Sequence, residues 1–470
     1  MKTMPPEPVV PSQSEEASHT GAKNGFGAMS LTCLVIASMA GTGVFTTSGY
    51  TLGAVGSPAR VLLCWSIGGL IAICGSVAYG RLAEVLPASG GEYLYLTKTV
   101  HPAAGFLAGW VSLTAGFSGA IATAAVAFES YAVPDSIRPA WLPPDLVAIS
   151  VVLVCGLLHS LHRSAGTWFQ NFVVCLKVAV LVFFLSAAVT KLGNHEWHTT
   201  VYDPQPTGFD LITAIATSVV WISMSYAGFN AAVYVASEAS APTRQVPRSL
   251  LLGTIGVTVL YLVLNLIFVT AVPREDLIWQ EDVAAIAARA LGGAPLDQMV
   301  RAAVCFGLFT SVSGMIMSGP RVYARMADDN VFPGFFRAER NGISRSICLQ
   351  TGIAIGLIVL QRVLVELQWI STPLLGLLIY LGTTLSLSSA TCVATMFLPS
   401  FRRQYGALTN TRLICSLAYV LATFAAIVLL ILNHKDQDEW LGVRHLSGVA
   451  ATIVTGLVAW TFFGRSPAKS

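Results

Sequence analysis

Residues 38–49 read SMAGTGVFTTSG, and they lie inside a charge-free run from Asn24 to Ala59. One straight membrane span needs about 20 apolar residues, so this run is longer than a span requires. Gly41, Gly43 and Gly49 each weaken a helix interior by about 1 kcal/mol relative to alanine, and three threonines and two serines add hydroxyls to the same patch. Two local readings stand open. The patch is either a seam of small residues that lets two helices approach closely, or a break in the middle of a helix. A break frees backbone N–H groups at the start of the second half-helix, where the dipole is positive. Such a terminus binds a carboxylate without a charged side chain.

The rest of the chain supports a membrane setting. It has 470 residues, 54% hydrophobic and 11% charged, with mean hydropathy +0.68; soluble domains carry roughly 25% charged residues. Charge-poor runs fall at about 26–50, 58–83, 103–132, 145–161, 166–190, 209–236, 248–272, 300–324, 346–366, 370–398, 411–433 and 443–464. They predict about twelve transmembrane helices in an all-α integral membrane protein, because they are too long and too uniformly apolar for barrel strands. Residues 1–25 are polar and lack an apolar segment, so they read as a flexible cytoplasmic tail and not as a signal peptide. None of the nine cysteines forms a CxxC pair, which argues against disulfides and a metal site. No cofactor is expected. A net charge of +3 gives no reason to expect nucleic acid as a partner.

An even number of spans puts both termini on one side, and basic loops mark the cytoplasm. With the termini inside, the inner segments hold Lys2, Lys23, Arg81, Lys98, Arg163, Arg244, Arg248, Arg321, Arg325, Arg402, Arg403 and Arg412 among others. The outer loops hold about half as many, along with acidic groups at Glu275, Asp276, Glu281, Asp282 and at Asp436, Asp438, Glu439.

A second interruption falls in the sixth span. The stretch 221–249 reads WISMSYAGFNAAVYVASEASAPTRQVPRS, with polar groups and a glycine in mid-span. Interruptions in spans 1 and 6 are what an inverted repeat of five plus five helices predicts. Freed carbonyls there would hold an ammonium group while the first break holds a carboxylate. Together they read as a clamp for a zwitterion.

Four motifs then make a resemblance. Gly41-Thr42-Gly43-Val44-Phe45 resembles GxGIF. Pro87 to Tyr93 (PASGGEY) resembles PxSGGEY. Tyr226 to Asn230, with Glu238, Pro242, Arg244 and Pro247 behind them, resembles the sixth-helix pattern and its EExKNPxRxIP tail. Gly319-Pro320-Arg321 through Asp328 to Pro333 resembles GxxRxxxAMxRDGxxP. In this order and over about residues 26–400, the chain resembles an amino-acid permease of the amino acid–polyamine–organocation superfamily. The resemblance implies a transport core at 26–398, two extra C-terminal helices at 399–464 and a cytoplasmic tail at 465–470. Two residues depart from the pattern: Ser237 precedes Glu238 where the family has a double acid, and Asn330 stands where it usually has glycine.

The implied substrate site is built from Met39, Ala40, Gly41, Thr42 and Gly43 with Met224, Ser225, Ala227, Gly228, Phe229 and Asn230. Backbone N–H groups of Thr42 and Gly43 would take the carboxylate. Carbonyls of Met39, Ala40, Met224, Ser225 and Ala227 would face the ammonium. Phe229 would close the pocket from outside. Arg244 and Arg248 are either positive-inside anchors or gate partners of Glu92 and Glu238. Lys177 lies deep in the fifth span, and an intramembrane charge marks a function by default. By resemblance it stands in for a sodium ion at the first break, or it carries a coupling proton.

No arginine falls mid-span to suit an acidic side chain, and the carboxylates considered for a basic one, Glu129 and Glu366, sit near outer helix ends. The expected cargo is therefore a neutral L-amino acid, moved without sodium by proton symport or by exchange. The alternatives are a cationic amino-acid or polyamine transporter and a non-transporting amino-acid receptor on the same fold. No converging acid, base or metal cluster points to an enzyme. The expected partners are the substrate, the lipid bilayer and a proton, with the chain a monomer or homodimer.

Overall fold

The computed structural model describes residues 26–134, 137–161, 182–191, 193, 195–199, 205–337, 342–432 and 441–464. Its helices, in chain order, are α1 (Ala28–Met39), α2 (Gly43–Val55), α3 (Pro58–Val85), α4 (Gly91–Thr99), α5 (Pro102–Ala132), α6 (Leu146–Leu161), α7 (Gly208–Tyr226), α8 (Pro242–Thr270), α9 (Val283–Asp328), α10 (Gly342–Glu366), α11 (Pro373–Ala394), α12 (Asn410–Ile431) and α13 (Leu441–Phe463). Among the described residues nine helical stretches are long and apolar enough to cross a membrane, and α1 with α2 makes a tenth, bent by 46°. α6 is shorter but also apolar. The fifth proposed span, 166–190, falls mostly outside the described residues; each of the other runs coincides with a described helix.

Burial separates the bundle into an inner and an outer set. The apolar window of α5 is 72% buried, whereas those of α12 and α13 are each 22% buried. Large apolar side chains stand exposed on the outer set, among them Ile414, Leu421 and Val428 on α12 and Val454 and Phe462 on α13. In water such a belt would be a liability; in lipid it is the solvated face. The inner set is held by close packing. Glycines and small residues on α3 let α8 lie against it, with Thr258 and Pro247 filling the space over Gly69 and Gly80.

Three irregularities shape the centre. Residues 40–42 separate α1 from α2. Residues 227–230 end α7 in turns, and a 3-10 segment, Ala231–Glu238, continues the span. α5 carries a π-helical stretch, Ser112–Gly119, the kind of widened turn that recurs at functional sites. Asn330, where glycine was expected, adopts φ +60°. Asparagine tolerates that left-handed conformation, and its Oδ1 accepts a hydrogen bond from Arg337 at 2.6 Å.

Candidate functional site

The two breaks face each other across a cavity of about 530 Å³, a size suited to a small molecule. Ser38–Gly43 line it from the first span, and Met224, Tyr226–Ala231 and Tyr234 from the sixth. Ser112, Gly116 and Phe117 reach it from the π-helical turn of α5. Hydroxyls furnish another wall: Ser223, Ser313, Ser318 and Ser386.

The first break presents donors. Thr42 caps α2 and Gly43 opens it, so their N–H groups belong to the first turn, which has no intrahelical carbonyl to bond. Gly43 is fixed by proximity. A methyl group there would stand 2.1 Å from Ser225 Oγ and 2.8 Å from Ser225 Cβ. Gly228 is fixed by conformation: its φ is +97°, and a Cβ would lie 2.9 Å from the Ser38 carbonyl oxygen. The breaks are thus in van der Waals contact with each other, each depending on a glycine of its own.

Carbonyls are supplied at the same place, but three of them are engaged. The Tyr261 hydroxyl on α8 donates to Met39 O at 2.5 Å and lies 3.1 Å from Ser225 O. Met224 O accepts from Ala227 N–H at 3.1 Å. Tyr261 is wholly buried and packs edge-on against Trp65 and Tyr226. The sequence reading did not single it out. Its signal is a tyrosine deep in an apolar span, whose hydroxyl must find a partner.

Phe229 differs from expectation. Its ring packs edge-on to Tyr79 and beside Tyr419, with Gly75 adjacent. That places it on the side of the break facing the α3–α4 loop, the end assigned to the cytoplasm by charge. In this conformation it does not close the opposite end. The end opposite that loop is instead held by α2. Tyr50 donates to Glu281 Oε1 at 2.6 Å and meets Thr372 at 3.0 Å, Trp221 donates to Thr51 at 2.9 Å, and Trp279 covers Gly53.

The proposed gate pairs are not formed. Arg244, Arg248 and Glu238 are exposed, and among the described residues no ion pair joins them to each other or to Glu92. The reason is geometric. Glu92 turns inward and accepts hydrogen bonds from Tyr79 at 2.7 Å, Asn230 at 2.6 Å and Tyr234. Glu238 contributes its carbonyl instead, accepting from Phe26 N–H at 2.9 Å, while Ser240 N–H donates to Phe26 O. Ser237, the departure from the double acid, bonds Ser89 of the PASGGEY loop through its hydroxyl at 2.6 Å. Asn230 thus serves as a tie between the breaks and Glu92.

Glu129 is 4% exposed, and it pairs with Arg138 at 2.7 Å while accepting from the N–H groups of Asp145 and Ala148 at 2.8 Å each. It therefore caps the start of α6. Ser311 donates to Gly307 O at 3.0 Å. Ser313 meets His159 Nε2 at 2.7 Å, so a histidine that the sequence reading passed over joins the cavity wall. Lys177 lies outside the described residues.

Helices that cross an apolar layer, two of them interrupted where they meet at a central cavity, define a multi-pass integral membrane protein with a broken-helix transporter architecture. The chain belongs to the amino acid permease family, whose profile matches residues 26–469. Among relatives, it is 24% identical over 276 residues to the b(0,+)-type amino acid transporter 1 of Mus musculus, covering 58% of this chain and 56% of the relative. It is 25% identical over 334 residues to the large neutral amino acids transporter small subunit 2 of Oryctolagus cuniculus, covering 69% of this chain and 61% of the relative. The chain thus spans a little over half the length of these curated relatives. The fold is shared with an Eremococcus coleocola manganese transporter solved with an aromatic bis-isothiourea substituted compound: TM-score 0.58, 14% identity and 96% coverage of both chains.

Proposed function

We propose that the chain is a secondary active transporter that moves neutral L-amino acids across the cytoplasmic membrane by alternating access, without sodium, and with both termini in the cytoplasm. The observation that carries this reading is the meeting of the two breaks at one cavity. The N-terminus of α2 offers unpaired N–H groups to a carboxylate, and carbonyls around residues 39–40 and 224–227 offer acceptors to an ammonium. Such a pair of sites recognises the part that all α-amino acids share. Met39 and Met224, both on the cavity wall, supply adaptable apolar contact for the side chain. Glu129 is committed to α6, which supports a neutral cargo over a basic one. In this reading residues 26–398 form two inverted repeats of five helices, and 399–464 add two further helices. The relatives' printed names, a large neutral amino acids transporter among them, point the same way.

The test uses protein reconstituted in liposomes and pooled labelled neutral amino acids in sodium-free buffer. One set of vesicles is empty with an inward proton gradient; the other is preloaded with unlabelled amino acid. Uptake into either set is expected. Uptake of arginine or polyamine alone would move the reading to cationic cargo. Binding without uptake in either set would favour a receptor, and a requirement for sodium would overturn the proposed energetics.

A further inference from the structure

Glu92 opens α4, in the segment that joins two spans, yet it is 5% exposed and lines the central cavity. Its Oε1 accepts from Tyr79 and Asn230, and its Oε2 from Tyr234. The other titratable groups facing it are Tyr95 on α4 itself, Cys392 on α11 and Tyr419 on α12. All of these are neutral at physiological pH. Among the described residues no lysine, arginine or histidine pairs with it. A buried carboxylate with no cationic partner among the described residues is costly, and this one lines the central cavity of a chain that crosses the membrane. Three donors on two oxygens leave little open face for an ammonium or guanidinium group. A proton is the cation that fits.

The donors divide into two bodies. Tyr79 belongs to α3, next to the α4 that carries Glu92. Asn230 and Tyr234 belong to the inner half of the broken sixth span. An ionised carboxylate is a pure acceptor; a protonated one becomes a donor at one oxygen and loses acceptor capacity there. Charge-assisted bonds to an ionised carboxylate are roughly twice as strong as neutral ones. Protonation therefore loosens the tie between residues 230–234 and the α3–α4 frame.

Resting on the permease reading, we infer that Glu92 is the proton-carrying group of this protein. Ionised, it latches the inner half of the sixth span to α3 and α4. Protonated through the cavity, it releases that half so that the inner side opens. The proton is bound from solution on one side and returned to solution on the other, one for each substrate carried.

The test records lumenal pH and labelled substrate together, in the same liposomes. Wild-type protein is expected to acidify the lumen when substrate is added and to accumulate substrate under an inward proton gradient. Glu92→Gln keeps the shape and cannot titrate. It is expected to lose both acidification and gradient-driven accumulation, whatever exchange of substrate it retains. Accumulation with full acidification by Glu92→Gln would overturn the inference. So would wild-type exchange that ignores the gradient, which leaves the permease reading intact; absence of wild-type uptake and exchange alike would instead overturn both. Should Glu92→Gln fail to exchange, Glu92→Asp decides: retained acidification supports the role, and exchange without acidification removes it.

Discussion

Gly41 and Gly43 stand two residues apart in the same motif, yet they meet different surroundings. A Cβ on Gly43 would collide with Ser225 through both its side chain and its Cα, whereas a Cβ on Gly41 meets only Met39 O, at 3.7 Å. Overpacking of this kind costs about 1–3 kcal/mol, and the obstructing atoms include backbone that cannot rotate away. Gly43→Ala is therefore expected to force the breaks apart, lowering substrate uptake roughly tenfold or more, since each 1.4 kcal/mol is a factor of ten. Gly41→Ala should keep uptake within about twofold. Uptake measured in liposomes at matched protein density checks both, and equal loss in the two variants would show that flexibility, not contact, is what the glycines supply. At this scale the sequence revealed the patch but not the division of labour within it. Hydroxyls and glycines in a greasy run announce a break. Which glycine is pressed against Ser225 depends on a partner more than 180 positions away. Tyr261 escaped notice for the same reason, bonding Met39 across 222 positions.

Among the elements, α6 shows how a carboxylate near a membrane end is used for structure. Its first turn exposes N–H groups that water cannot reach, and Glu129 from α5 accepts two of them while pairing with Arg138. A negative charge at a helix N-terminus also complements the dipole. Hydrogen bonds to a charged group contribute about 1.5–3 kcal/mol each, so Glu129→Gln should lower the melting temperature clearly. Because Glu129 does not line the cavity, KM for the neutral substrate should stay unchanged; a rise in KM with stability intact would place Glu129 in the substrate path instead. The breaks in spans 1 and 6 were legible because glycine and polar residues interrupt apolar periodicity there. The helix cap was not, because nothing local to Glu129 indicates that the start of α6 lies over it. The inward turn of Glu92 was hidden likewise, since the PASGGEY motif reads as a surface loop until Tyr79, Asn230 and Tyr234 are brought around it.

Over the whole molecule, the proposed transport cycle needs sidedness as well as these local devices. The bundle was legible as a membrane protein because so few charges are available to cover it, and the run boundaries followed from where those charges fall. Orientation rests on the same charges. Basic residues gather at the end that holds the α3–α4 loop and the start of α8, and acidic ones at the opposite end, around Glu275 and Glu281. The proposed orientation, taken from the positive-inside rule, has the first end in the cytoplasm. Thr243 and Glu275 are both exposed and sit at opposite ends of the same helix, α8, and its outer loop. In a background with the native cysteines replaced, Glu275→Cys should react with an impermeant maleimide in intact cells, and Thr243→Cys only after the membrane is opened. The reverse pattern would invert the molecule. The Glu92 tie and the Phe229–Tyr79 contact would then close the outer side, and the Tyr50–Glu281 layer the inner one. The proton-linked release of residues 230–234 would then open the cavity toward the outside, and the same proton would accompany export.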